Sequence, residues 1–300
     1  TVLVGTGNSG AGGNIRLTSG ETKASASGGF VSILTGYSSQ SSSGDLMLRS
    51  PDSGSSGVSG SVLVDTGKAG GGNSGKFMVG TGESVRGSGG NIEMFVGLGQ
   101  IGDGGDIIAA AGRTEAAASR GGDVRVSAGT GGSTNTQDGG DGGRIVFRAG
   151  AAEGASSSLD IGGGLHLLAG TSSRASGGAV VIGTGIGSST SSGDMSLFTA
   201  ESGSSGVSGS LDLSTGSTSN GMSGYFAINT GDAAGGRGGD IDILVGVGDS
   251  GNGGDIYLFA GSTKASSKRG GIVQVTGGSG DATDGGGGGP VQIDGGTSYG

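Results

Sequence analysis

A glycine pair, or a serine followed by glycine, returns every fifteen or sixteen residues along most of this chain, and alternating large apolar residues follow each one. The first residue of the pair is Gly28, Ser43, Ser59, Ser74, Gly89 and Gly104 in the first half, and Gly177, Ser192, Ser208, Ser223, Gly238 and Gly253 in the second. A unit this short cannot bury a core alone, so order has to come from setting units against copies of themselves.

Within a unit the pair is followed by one variable residue and then by apolar, any residue, apolar, as in Ile15 and Leu17, Leu46 and Leu48, Val62 and Val64, Val124 and Val126, or Ile256 and Leu258. Side chains two apart share one face of an extended chain, so the pattern has the period of a half-buried strand. The strand closes on a small residue and glycine, as at Thr66-Gly67, Thr81-Gly82, Ala169-Gly170, Thr215-Gly216 and Thr230-Gly231. A return segment of Gly, Ser, Ala and Asp, such as 68–73, leads to the next pair.

A longer period overlies the short one. The nine residues at 53–61 recur unchanged at 202–210, a shift of 149 (202 − 53), and Gly-Gly-Asp-Ile at 104–107 recurs at 253–256 with the same shift. This divides the chain into super-repeats of approximately 8–156 and 157–300 within one continuous domain, 1–300. The shift separates two columns of side chains. Phe77 becomes Phe226, Val79 becomes Ile228, Leu46 becomes Met195 and Val126 becomes Val275, so one column stays apolar. In the other, Met47 becomes Ser196, Leu63 becomes Asp212, Ile108 becomes Tyr257 and Arg125 becomes Gln274, as expected of an outer face.

Glycine supplies 80 of 300 residues, with 4% aromatic and 14% charged, far from a globular average. A flexible linker is the competing reading of such a composition, but a linker has no reason to keep aliphatic alternation at regular intervals. The absence of cysteine excludes disulfides and thiol metal sites. No apolar run approaches the roughly 20 residues of a membrane helix, and a net charge of −9 argues against nucleic acid. The chain opens on Thr1, already within a strand pattern, and stops partway through a unit at Tyr299-Gly300, which reads as an excerpt of a longer repetitive polypeptide.

The fold expected is therefore all-β: a parallel β-solenoid of about 15–16 residues per coil and about 18 coils, within the 149-residue super-repeat. Every unit has the same polarity, and the return is too long for a two-residue hairpin turn and too short for a helical crossover. Coils stacked at about 4.8 Å would make a rod of roughly 85 Å. Polyproline II bundles fit poorly, since they need glycine at every third position. The outer apolar residues Met47, Leu63, Met78, Ile108, Val146 and Val181 are candidates for burial against other copies, or are scattered surface residues of the ordinary kind.

Chemistry is sparse, and no catalytic, cofactor-binding or metal-ligating residue is assigned. His166, the one histidine, lies between Leu165 and Leu167 on the variable column and reads as a surface residue. Gly-Gly-Asp at Asp106, Asp123, Asp240 and Asp255 invites comparison with calcium-binding nonapeptide solenoids. The nearest match, 235–242, puts Asp242 where the apolar residue belongs, so these carboxylates read as turn caps ahead of a strand, with calcium the competing reading. The stretch 138–143 lacks the Lys-Ser/Thr and helix of a phosphate loop and reads as a protruding loop.

Runs such as 59–67 (Ser-Gly-Ser-Val-Leu-Val-Asp-Thr-Gly) and 238–243 (Gly-Gly-Asp-Ile-Asp-Ile) resemble the long Gly/Ser/Thr repeat proteins of algae and other protists, especially stramenopiles. The resemblance covers the whole chain and implies an extracellular or cell-surface fibre, flagellar hairs included; it carries no functional residues. The expected function is that of a structural protein, not an enzyme: a segment that assembles with other copies of itself into an extracellular filament. A surface-binding solenoid, adhesive or ice-binding, is the alternative, although the outer column Arg16, Ser32, Met47, Leu63, Met78, Glu93 lacks the repeated Thr-x-Thr array of ice binders. A polysaccharide-cleaving helix would need clustered carboxylates, and here they are spread along the chain. No Asn-x-Ser/Thr acceptor occurs, so N-linked glycans are excluded, while the Ser and Thr hydroxyls leave O-linked glycans open.

Overall fold

The computed structural model describes residues 1–5, 7, 11–135, 137, 139–154, 156, 159–280 and 285–297. Asp138, in the glycine-rich stretch at 138–143, and the terminal Tyr299 and Gly300 lie outside them. The chain divides into two units, Thr1–Arg148 and Ala149–Gly300.

The alternating stretches are extended. Side chains two apart meet on one face: Arg125 Nη2 lies 2.8 Å from Asp123 Oδ2, Tyr257 Oη donates to Asp255 Oδ2 at 2.7 Å, and the rings of Tyr257 and Phe259 stack with centroids 5.8 Å apart. Such i, i+2 neighbours are what a chain of period two places together.

The expected parallel β-solenoid is not present. Among the described residues there is neither strand nor helix, and no ladder of hydrogen bonds joins one extended stretch to the next. Stacked coils would set each glycine pair over the pair about fifteen residues earlier. Instead, at nine pairs the second glycine donates to a glycine at the end of the stretch just before it. In Thr1–Arg148, Gly29 donates to Gly20 at 2.9 Å, Gly44 to Gly36 at 2.9 Å, Gly122 to Gly112 at 2.9 Å and Gly143 to Gly129 at 2.8 Å. In Ala149–Gly300, Gly163 donates to Gly150, Gly178 to Gly170 and Gly271 to Gly261, each at 2.9 Å, with Gly193 to Gly185 at 3.1 Å and Gly289 to Gly278 at 2.8 Å.

At these nine junctions an extended stretch starts beside the end of its predecessor, joined by a single bond that pins a closed loop. This offsets neighbouring stretches, so equivalent residues do not lie one above another and the in-register pile fails. Beyond the pin the backbone groups of the stretches face solvent, where water satisfies them without a ladder.

The loops have a recurring construction. Most turn near their midpoint, as at 24–26, 39–41, 55–57, 204–206 and 265–267. Hydroxyls accept from amides two or three residues on: Thr22 Oγ1 from Ala24, Ser38 Oγ from Gln40 and Ser41, Thr114 Oγ1 from Ala116, Ser172 Oγ from Arg174 and Ala175, and Thr263 Oγ1 from Ala265. Short hydroxyl side chains nucleate tight turns this way.

No described residue is buried. The accessible surface is 29826 Å², whereas a folded monomer of this mass exposes about 11,000 Å² and its fully unfolded chain about 40,000 Å².

Candidate functional site

Without a core or an enclosed cavity among the described residues, the chemistry on offer is that of the repeated surface. Its basic element is the pin. A Cβ built on Gly122 would lie 3.3 Å from both Ala111 Cβ and the Gly112 nitrogen, and one on Gly178 would lie 3.3 Å from the Gly170 nitrogen and 3.5 Å from Ala169 Cβ. On Gly75 it would stand 3.6 Å from Thr66 Cβ, on Gly90 3.7 Å from Thr81 Cβ, and on Gly105 3.0 Å from Val96 Cγ1. The second glycine therefore faces the small residue that closes the previous stretch. The first faces nothing within 4 Å at Gly89, Gly104, Gly142, Gly238 and Gly253.

Exposure rises along the inner column in most stretches. The first inner apolar residue of each stretch is 45 to 62% exposed, from Ile145 to Val62. The second is more open in most stretches, as in Leu46 and Leu48 at 56% and 71%. The cover therefore comes from the preceding stretch at the pin and falls away along the segment. Met47, Leu63, Met78, Ile108, Val146 and Val181, proposed from sequence as outer residues, are 64 to 89% exposed. The inner column contains only apolar residues in every unit, and the charges Arg16, Glu93, Arg125, Asp212 and Asp242 all fall on the outer one.

The four Gly-Gly-Asp carboxylates are not brought together. Asp123 lies between Arg120 at 3.2 Å and Arg125 at 2.8 Å, Asp240 pairs with Arg237, and Asp255 accepts from Tyr257. Among the described residues no group of three or more His, Asp or Glu could hold a metal ion. Asp123, Asp240 and Asp255 pair with side chains two or three residues away; the turns are held by Ser and Thr hydroxyls instead. That role was legible only as composition, because hydroxyl residues fill loops and stretches alike.

The Asp255 carboxylate, accepting the Tyr257 hydroxyl, pushes that phenol above its ordinary value, and slight loss of hydration adds in the same direction. His166 approaches Gly164, where an added Cβ would lie 3.1 Å from its Nε2. No helix among the described residues is long and apolar enough to cross a membrane. Compared with protein-family models, with curated proteins and with solved structures, the chain matches none.

Proposed function

We propose that this chain is a structural protein, a repetitive segment that associates with other copies of itself into an extracellular filament. One observation carries the reading: regularly spaced pairs of apolar side chains, set on one side of the extended stretches, stay about half or more exposed. Apolar surface of this extent is driven out of water at about 25 cal/mol per Å², and contiguous exposed patches above a few hundred Å² mark association surfaces. The role is mechanical, since repetition gives every unit the same contacts to offer. The likeness of its Gly/Ser/Thr runs to protist fibre proteins favours a place outside the cell.

The test is sedimentation of the purified chain over rising concentration, followed by electron microscopy of the pellet. Filaments above a threshold concentration are expected. A chain that stays monomeric at every concentration and salt, including where its net charge of −9 is screened, overturns the role.

A further inference from the structure

We infer that the inner apolar column is the surface on which a second copy of this chain docks, side against side, stretch matched to stretch. The inference rests on the structural role above and names the face and the partner through which that role would be carried out.

The sequence spacing of the units is uneven, and at nine junctions a pin closes the loop whatever its length. The loop from Gly36 to Gly44 closes at 2.9 Å, and the longer loops from Gly129 to Gly143 and from Gly150 to Gly163 close at 2.8 and 2.9 Å. Such pinned junctions occur in both Thr1–Arg148 and Ala149–Gly300.

Three features select a second copy as the occupant. The available area is far beyond need: the chain exposes 29826 Å², roughly 19,000 Å² above an ordinary monomer of this mass, whereas a stable interface removes only about 1,200–2,000 Å². The face is uncharged in a chain of net charge −9. Two acidic copies can therefore meet there while their carboxylates, Glu93, Asp212 and Asp242 among them, stay on the outer column in solvent. Finally, the repeat matches itself: a copy carries the same apolar pair at the same step, so one favourable contact recurs at each successive stretch. An unrelated globular partner would satisfy only one or two pairs.

The experiment compares the intact chain with two variants that leave its charge unchanged. The inner variant carries Val62→Ser, Val64→Ser, Leu211→Ser and Leu213→Ser; the outer variant carries Leu63→Ser, Met78→Ser, Ile108→Ser and Val181→Ser. Because none of these side chains is buried in the isolated chain, neither set removes a core. The readout is the critical concentration for pelleting. The inner variant is expected to raise it more than about tenfold, and the outer variant to change it by less than about threefold. If the intact chain pellets and the inner variant pellets equally well, or the outer variant is the one that fails, the docking face is wrong while the structural role stands. An intact chain that never pellets removes both.

Discussion

The second residue of each pair is always glycine, and its neighbour gives a reason. Gly13, Gly44, Gly75, Gly105, Gly193, Gly224 and Gly254 are all glycine, while the position before them alternates freely between glycine and serine. A side chain at the first position meets open space, as at Gly104, or only the closing glycine's oxygen, as at Gly121; at the second it would lie against the closing Val, Thr or Ala of the preceding stretch, as at Gly105, Gly75 and Gly122. Gly122→Val should therefore break the bond from Gly122 to Gly112, because a branched side chain would have to push against Ala111 Cβ and the Gly112 backbone, whereas Gly121→Ala meets only the Gly112 oxygen at 3.6 Å. Amide hydrogen exchange at residue 122 reports this. Exchange should speed up by about tenfold, the loss of roughly one net hydrogen bond, in the valine variant, and stay as it is in the alanine variant. Equal protection in both would mean that the pin does not depend on glycine.

The closed loops and extended stretches obey different local rules. In the loops, Gly102 and Gly251 adopt φ of 92° and 83°, and Ala118 and Ser267 adopt 55° and 60°. Each couple is separated by 149 residues (251 − 102 and 267 − 118), so the long repeat preserves a left-handed corner even where the residue is not glycine. Along the stretches, neighbours two apart dominate, and Asp255 with Tyr257 gives the clearest readout. The phenol is raised because its hydroxyl donates to a carboxylate that ionisation would repel. The contact therefore holds at neutral pH and is lost as pH climbs through the elevated phenol value. Asp255→Asn should bring the Tyr257 titration down toward the ordinary range, seen as an earlier rise of tyrosinate absorbance; an unchanged curve would show that the two side chains do not meet. The exposed ion pairs of Asp123 with Arg120 and Arg125 carry little stability in comparison, because water screens them.

For the entire chain the consequence is thermodynamic. With 29826 Å² still exposed, folding removes about a third of the area that an ordinary protein of this mass would remove. Heat capacity of unfolding follows apolar burial, so calorimetry of the dilute, unassociated chain should show no sharp transition and an increment of at most about 5 cal/mol/K per residue, against about 12–15 for a globular fold. A sharp peak with the full increment under those conditions would require a core that the structure lacks. Association should change this, since docked copies would then remove apolar surface that a single copy leaves wet.

Much of this was legible in the residues alone. Alternation such as Val62-Leu63-Val64 dictates an extended stretch with an apolar side, since backbone geometry sends successive side chains to opposite faces. The contrast between Phe77/Phe226 and Leu63/Asp212 separated the inner column from the outer, and the lower exposure of the first inner residue in most stretches agrees with that division. The pairing of the units was not legible. Every unit offers the same amides and carbonyls, so a bond from Gly29 to the pair one repeat earlier and a bond to Gly20 are equally compatible with the pattern. Where a pin forms, tertiary structure chose the nearer partner, as in the nine-residue step from Gly20 to Gly29, because closing a shorter loop restricts the chain less than aligning a full coil does. That choice offset the stretches, left them without a ladder, and kept the aliphatic columns in water.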